Sequence, residues 1–304
     1  MNSIFATKIH RADGLSISYT TDMFFYRKIR RKLVNWLIDN YKPLNAGLSD
    51  FNRLQDEIEI GDVILVEGRS RVAEVIKVLS QSPWSHSAFN IGPITNIKTP
   101  EIRAFAEKFV QPKDRDKHLI LEALFDQGVV LKSIEKYRGE HLRICRPIGL
   151  YQEDAQKVMN SALKNLGKQY NTRQIFDLLR FLLPIAILPR RWLSTLFQYE
   201  EGSRTEEICS SMLVDSFNSV GFPVRPIIKV LPDNQIELIR RNPLLFTPSD
   251  FDYSPYFNII KYPIYGGAGK GHYRDLNWNQ EGKMANSDSE IFIYKSVPTN
   301  STVL

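Results

Sequence analysis

Two side chains in this sequence carry the ingredients of nucleophilic catalysis. Cys209 opens the run Cys209-Ser210-Ser211-Met212-Leu213-Val214, and His86 lies in Trp84-Ser85-His86-Ser87-Ala88-Phe89-Asn90-Ile91. A thiol attacks a carbonyl as its thiolate, a form favoured by a nearby imidazole and by the N-terminus of a helix. The run from Cys209 has a helical pattern, whereas the run around His86 reads as a strand. If the helix starts just before Cys209, its first N–H groups, that of Cys209 included, face both the thiolate and an oxyanion on the substrate. If it starts at Thr205 that advantage is lost, and an inward-pointing Glu206 or Glu207 opposes ionisation. Cys209 also shares a stripe with Met212, Leu213 and Phe217. A buried, inert cysteine is therefore the competing reading.

A catalytic imidazole needs its second ring nitrogen held. On a strand, His86, Ala88 and Asn90 fall on one face and Phe89 and Ile91 on the other, and the small-residue face suits the floor of a cleft. Glu122 stands in the apolar run Leu119-Ile120-Leu121-Glu122-Ala123-Leu124, where a carboxylate is costly without a partner. An imidazole on the adjacent strand would be that partner. An edge strand that turns Glu122 to water is the alternative.

These residues need elements to position them. Gly61-Asp62-Val63-Ile64-Leu65-Val66 reads as a turn into a buried strand. Val72, Val75, Ile76 and Leu79 mark a helix, which Pro83 ends before the His86 strand. Residues 92–117, with three prolines, read as an insertion holding one short helix. Strands are expected at 118–125, 128–134 and 141–146, the first two joined by Asp126-Gln127-Gly128. A helix over 153–166 ends at Gly167, and the Cys209 helix ends near Gly221. From there to Tyr265 the chain reads as Pro-rich loop. Three parts result: an N-terminal amphipathic helical extension (1–57), the main domain (58–265) and a polar tail (266–304).

Two segments raise the question of lipid. Met23 to Tyr41 mixes Phe24, Phe25, Ile29, Leu33, Trp36 and Leu37 with Arg27, Lys28, Arg30, Arg31 and Lys32. This suits a membrane-surface helix, and equally a helix packed on the domain with its basic face in water. Residues 176–197 hold more apolar side chains than one buried face requires, punctuated by Arg180, Arg190 and Arg191. A lipid-contacting flap and a kinked helical hairpin completing the core both fit.

Composition narrows the classes. The chain has 304 residues, 43% of them hydrophobic, enough for a substantial core. Forty Lys and Arg against 34 Asp and Glu give a net charge of +6, too mild a balance for a nucleic-acid signature. Two cysteines make neither a disulfide framework nor a metal cluster, and Cys145 reads as structural. His10, His118, His141 and His272 show no metal-ligand spacing. Gly266-Gly267-Ala268-Gly269-Lys270-Gly271 lacks the spacing of a phosphate loop. The first residues lack the apolar run of a secretory signal, and the most apolar stretch, Phe181 to Leu188, falls far short of the roughly 20 residues of a span. A soluble, cytoplasmic protein is expected, with peripheral membrane contact left open.

Taken in order, Gly61-Asp62-Val63-Ile64-Leu65, Ser82-Pro83-Trp84-Ser85-His86-Ser87, Leu121-Glu122-Ala123 with Gly128-Val129, Gly167-Lys168-Gln169-Tyr170-Asn171, and Ile208-Cys209-Ser210 form an ordered set. It resembles the circularly permuted NlpC-type papain fold, and more narrowly the YaeF/YiiX-like amidases, relatives of the lecithin:retinol acyltransferase group. Papain-like enzymes usually carry the cysteine helix before the histidine strand; here the histidine comes first. The resemblance implies an α+β fold, a papain-like antiparallel sheet packed on the cysteine helix with helical N-terminal and internal extensions. It also implies Cys209 as nucleophile, His86 as base and Glu122 as orienting carboxylate, with Tyr170 and Ser210 at the substrate or oxyanion. The chain departs from the family at Ser211, where members often carry an acid, and at Asn171, where aspartate commonly follows the tyrosine. The implied activity is cysteine-dependent hydrolysis of an amide or ester through an acyl-enzyme, with no metal and no cofactor. The substrate would be lipid-derived or a peptidoglycan-like peptide. A lipid-directed acyltransferase or phospholipase with the same triad, or a non-catalytic lipid- or peptide-binding module, are the alternatives.

Overall fold

The computed structural model describes residues 32, 35–36, 39, 49–124, 127–168, 209–232 and 234–262. Its centre is an antiparallel sheet built from β1 (Val63–Glu67), β2 (His86–Gly92), β3 (Leu119–Leu124), β4 (Gly128–Ser133), β5 (His141–Pro147) and β8 (Phe257–Ile260). The strand order is β4-β3-β2-β1-β5-β8. The first four strands are thus sequential neighbours; β5 returns to the far side of β1 and β8 closes that edge. A separate hairpin joins β6 (Ile227–Val230) to β7 (Ile236–Ile239). The helices are α1 (Phe51–Glu57), α2 (Arg71–Ser80), α3 (Pro100–Ala106), α4 (Gln152–Leu163), α5 (Cys209–Asn218) and α6 (Ser249–Asp252). The class is α+β.

Alternation in the strands sends side chains to two buried faces. Val63, Leu65, Phe89, Ile91, Leu119 and Leu121 meet Val158, Met159 and Leu163 of α4 and Met212, Leu213 and Phe217 of α5. On the opposite face Ile64, Val66, Ala88, Ile120, Leu142 and Ile144 meet Phe51 and Leu54 of α1 and the turn containing Ile134 and Tyr137. Phe217 anchors α5: its ring lies 5.9 Å from Phe89 and 5.6 Å from Phe257, edge-on to both. Such pairs contribute about 0.5–1.5 kcal/mol each beyond burial. α5 is therefore seated on the sheet through Phe217. Residues 51–57, counted with the extension in the sequence, pack Phe51 and Leu54 into this second layer.

Local chemistry explains the boundaries. Ser70 caps α2, its Oγ accepting from the Ala73 N–H at 3.1 Å. Gly167 takes φ +80°, a conformation that favours glycine, and a Cβ there would stand a tight 3.2 Å from the Phe109 ring. Its N–H donates to Val129 O, laying the chain after α4 against β4.

Two expectations change. Residues 92–117 hold α3 and three short 3₁₀ turns (Ile94–Asn96, Glu107–Phe109 and Pro112–Asp114) rather than one short helix, because the prolines start new turns instead of breaking a single helix. Residues beyond Gly221 are not loop alone. They supply the β6–β7 hairpin, α6 and edge strand β8, which pairs with β5 from Ile144↔Ile260 to Pro147↔Phe257. Among the described residues no helix is long and apolar enough to cross a membrane. Most of Met23 to Tyr41, all of 176–197 and the tail 266–304 lie outside the described residues.

Candidate active site

His86 is the first residue of β2, so its ring stands at one end of the sheet, 17% exposed. Glu122 lies near the end of the antiparallel neighbour β3 and is fully buried. His86 Nε2 and Glu122 Oε2 are 2.9 Å apart. Two further donors converge on the carboxylate: Lys136 Nζ on Oε1 at 2.6 Å and the Tyr137 hydroxyl on Oε2 at 2.5 Å. Burial pushes the Glu122 carboxyl up. The hydrogen bond with His86 and the charges of Lys136 and His86 outweigh it and lower the pKa to about 2. Glu122 is thus a fixed anion throughout the neutral range, and it holds Nε2–H of the imidazole. That tautomer makes Nδ1 the basic nitrogen.

The partner foreseen for Glu122 is present, and the edge-strand alternative is excluded because β4 pairs beyond β3, Glu122 opposite Val130. The small-residue face is confirmed in direction but not as an open floor. Ala88 and Asn90 are fully buried, Ala88 packed beneath the α1 layer.

α5 is described from Cys209 onward, residues 169–208 lying outside the described residues; the Cys209 side chain lies outside them too, as does Tyr170. What is described is the junction beside it. Ser87 Oγ and Ser210 Oγ approach to 3.3 Å in a buried contact, so the residues directly following His86 and Cys209 touch. Ser210, and with it the Cys209 end of α5 as described, therefore sits at the same end of the sheet as His86. Ser87 projects to the α5 face while His86, one residue earlier, projects to the other, so the imidazole and Ser210 lie on opposite sides of the strand end. Ser210 is fully buried, its hydroxyl against that of Ser87.

Lys136 and Tyr137, which the sequence reading missed, lie in the 3₁₀ turn Ile134–Tyr137 after β4. A second imidazole–carboxylate pair was also unforeseen: His141 Nδ1 and Glu67 Oε2 are 2.7 Å apart. Trp84 lies against the His141 ring at 5.1 Å, and Lys77 Nζ is 3.5 Å from Glu67 Oε1. Cys145 is buried in the core, and burial, with the negative charge of Asp252, pushes its thiol far above the ordinary range. It has no nucleophilic use. Among the described residues no group of three or more His, Cys, Asp or Glu side chains is arranged to hold a metal ion.

No family model matches the chain, and no curated protein matches it. Among solved structures it is similar to one described as the metalloprotein YiiX of Escherichia coli O157:H7. The identity is 17% and the TM-score 0.41, over 67% of this chain and 97% of that one.

Proposed function

We propose that the protein is a cysteine-dependent hydrolase of permuted papain-like, YiiX-like type, cleaving an amide or ester through an acyl-enzyme. The observation that carries the reading is the His86–Glu122 pair, set at the end of the sheet where Ser210, next to Cys209, meets Ser87. A carboxylate costs too much to bury without purpose, and here its oxygens hold one imidazole nitrogen in a defined tautomer. In this mechanism His86 Nδ1 takes the Cys209 proton, and the thiolate attacks the substrate carbonyl from the helix N-terminus. The oxyanion rests on the Cys209 backbone N–H, with Tyr170 as a further contact. His86, now cationic and held by Glu122, protonates the leaving group. Water then loses a proton to His86 and releases the acyl group as the acid. The main domain, 58–265, carries every one of these groups. A lipid-derived substrate and a peptide amide use the same steps.

The test is the pH dependence of alkylation by iodoacetamide, read cysteine by cysteine by mass spectrometry. Cys209 should label rapidly below about pH 7, where an unperturbed thiol with a pKa of about 8.5 is almost wholly protonated. His86→Ala should slow that labelling about tenfold or more. Labelling that rises only near the unperturbed pKa, equally in both proteins, would sink the mechanism.

A further inference from the structure

The β6–β7 hairpin stands apart from the six-stranded sheet, and its register sorts its side chains. Ile227 pairs with Ile239 and Lys229 with Glu237 on one face, the charged pair 3.4 Å apart. Ile228 pairs with Leu238 and Val230 with Ile236 on the other. All four of this second set are aliphatic, and all are between 48% and 67% exposed. An antiparallel pair normally turns polar residues to water on its outer face. A continuous aliphatic face left exposed marks a surface that is covered in use.

The charges say by what. Arg240 follows directly on the end of β7. Arg225 and Arg241, at the base of the hairpin, pair with the buried Asp250, which fixes that base to the domain. Between 225 and 241 the chain carries Arg225, Lys229, Arg240 and Arg241 against Asp233 and Glu237. Two arginines share the single Asp250 carboxylate and Lys229 faces Glu237, so the base keeps a cationic excess, to which Arg240 adds, beside the aliphatic face. A second copy of the chain is a poor occupant, since a two-fold contact would set that excess against itself.

We propose that this face docks on an anionic lipid surface. Ile228, Val230, Ile236 and Leu238 enter the boundary between headgroups and acyl chains, and Arg240 meets the lipid phosphates. The outer strand edges need hydrated partners, so the hairpin rests at headgroup depth and does not enter the hydrocarbon. The docking is independent of the thiol chemistry and of residues 23–41 and 176–197.

The test is sedimentation of the full chain with phosphatidylcholine vesicles, with and without phosphatidylserine. Wild type should bind the phosphatidylserine vesicles, and less so as salt rises. The double variant Ile228→Asp, Leu238→Asp should bind at least about tenfold more weakly, and Arg240→Glu about threefold. Both should keep the wild-type melting temperature because the sites are exposed; Val230→Ser serves as a milder probe of the same face. Wild type that fails to bind overturns the proposal. So does a double variant that binds as wild type, which would move docking to another segment. A wild-type dimer split by the double variant, with no vesicle binding, gives the face to a second copy and overturns it equally.

Discussion

The protein holds two histidine–glutamate pairs at one end of one sheet, and they differ in everything except residue type. His86 pairs with Glu122 at 2.9 Å, and His141 with Glu67 at 2.7 Å. Glu122 is fully buried, with Lys136 and Tyr137 also donating to it. Glu67 is 30% exposed, and its partner His141 29%. Its carboxyl is held below the usual range chiefly by the hydrogen bond with His141, against the cost of burial. Distance alone would rank the second pair higher. Burial reverses the order: a desolvated carboxylate held by three donors fixes its imidazole, whereas a part-exposed one exchanges it with water at little cost.

The largest expected break in this comparison is in catalysis. Cys209→Ala or His86→Ala should lower turnover about 10³-fold or more while the melting temperature stays near wild type. His141→Ala should leave turnover within about twofold. Equal losses at the two histidines would mean that burial does not distinguish the pairs. Next comes the carboxylate. Glu122→Gln should cost about 10²-fold in rate. Glu122→Ala should also destabilise the fold by about 3–5 kcal/mol in denaturant titration, because Lys136 and Tyr137 lose their shared acceptor. Glu67→Ala should cost about 0–1 kcal/mol.

How much of this the sequence disclosed follows from how local each signal is. Glu122 was legible because a charge inside Leu119-Ile120-Leu121-Glu122-Ala123-Leu124 demands a partner, and β2 and β3 are sequential neighbours. The seat of α5 was legible from the stripe of Met212, Leu213 and Phe217, all found in the core. Lys136 and Tyr137 were not, since nothing in Ile134-Glu135-Lys136-Tyr137 shows that this turn folds back over the sheet. Glu67 and His141 meet because β5 returns to pair with β1 after three intervening strands of the chain, 67 opposite 141, a non-local event that no periodicity encodes. β8 was hidden by its length: Phe257-Asn258-Ile259-Ile260 is too short to show a period and becomes a strand only against β5.

A gentler break is acid. Glu122 falls from its ordinary 4.5 to about 2 in the fold. A depressed carboxyl stabilises the native state above its unfolded pKa, and that stabilisation is lost as pH falls through the folded value. Stability should therefore decline between about pH 4.5 and pH 2, with a flatter decline in Glu122→Gln, as read from denaturation midpoints against pH. Glu67→Gln should flatten it less, because the Glu67 partners stand partly in water.

The smallest effect separates the donors around Glu122. Lys136 lowers the Glu122 pKa mainly by its charge, while His86 contributes the leading hydrogen bond. Lys136→Met keeps most of the side-chain stem and removes the charge, so the Glu122 pKa should rise toward its ordinary value. The acid transition then moves to higher pH and spans a narrower window. Turnover at neutral pH should change by no more than about threefold, since a carboxylate still accepts from His86 and Tyr137. A rate loss in Lys136→Met as large as that of Glu122→Gln would make the ammonium, rather than the held imidazole, the reason the carboxylate is buried.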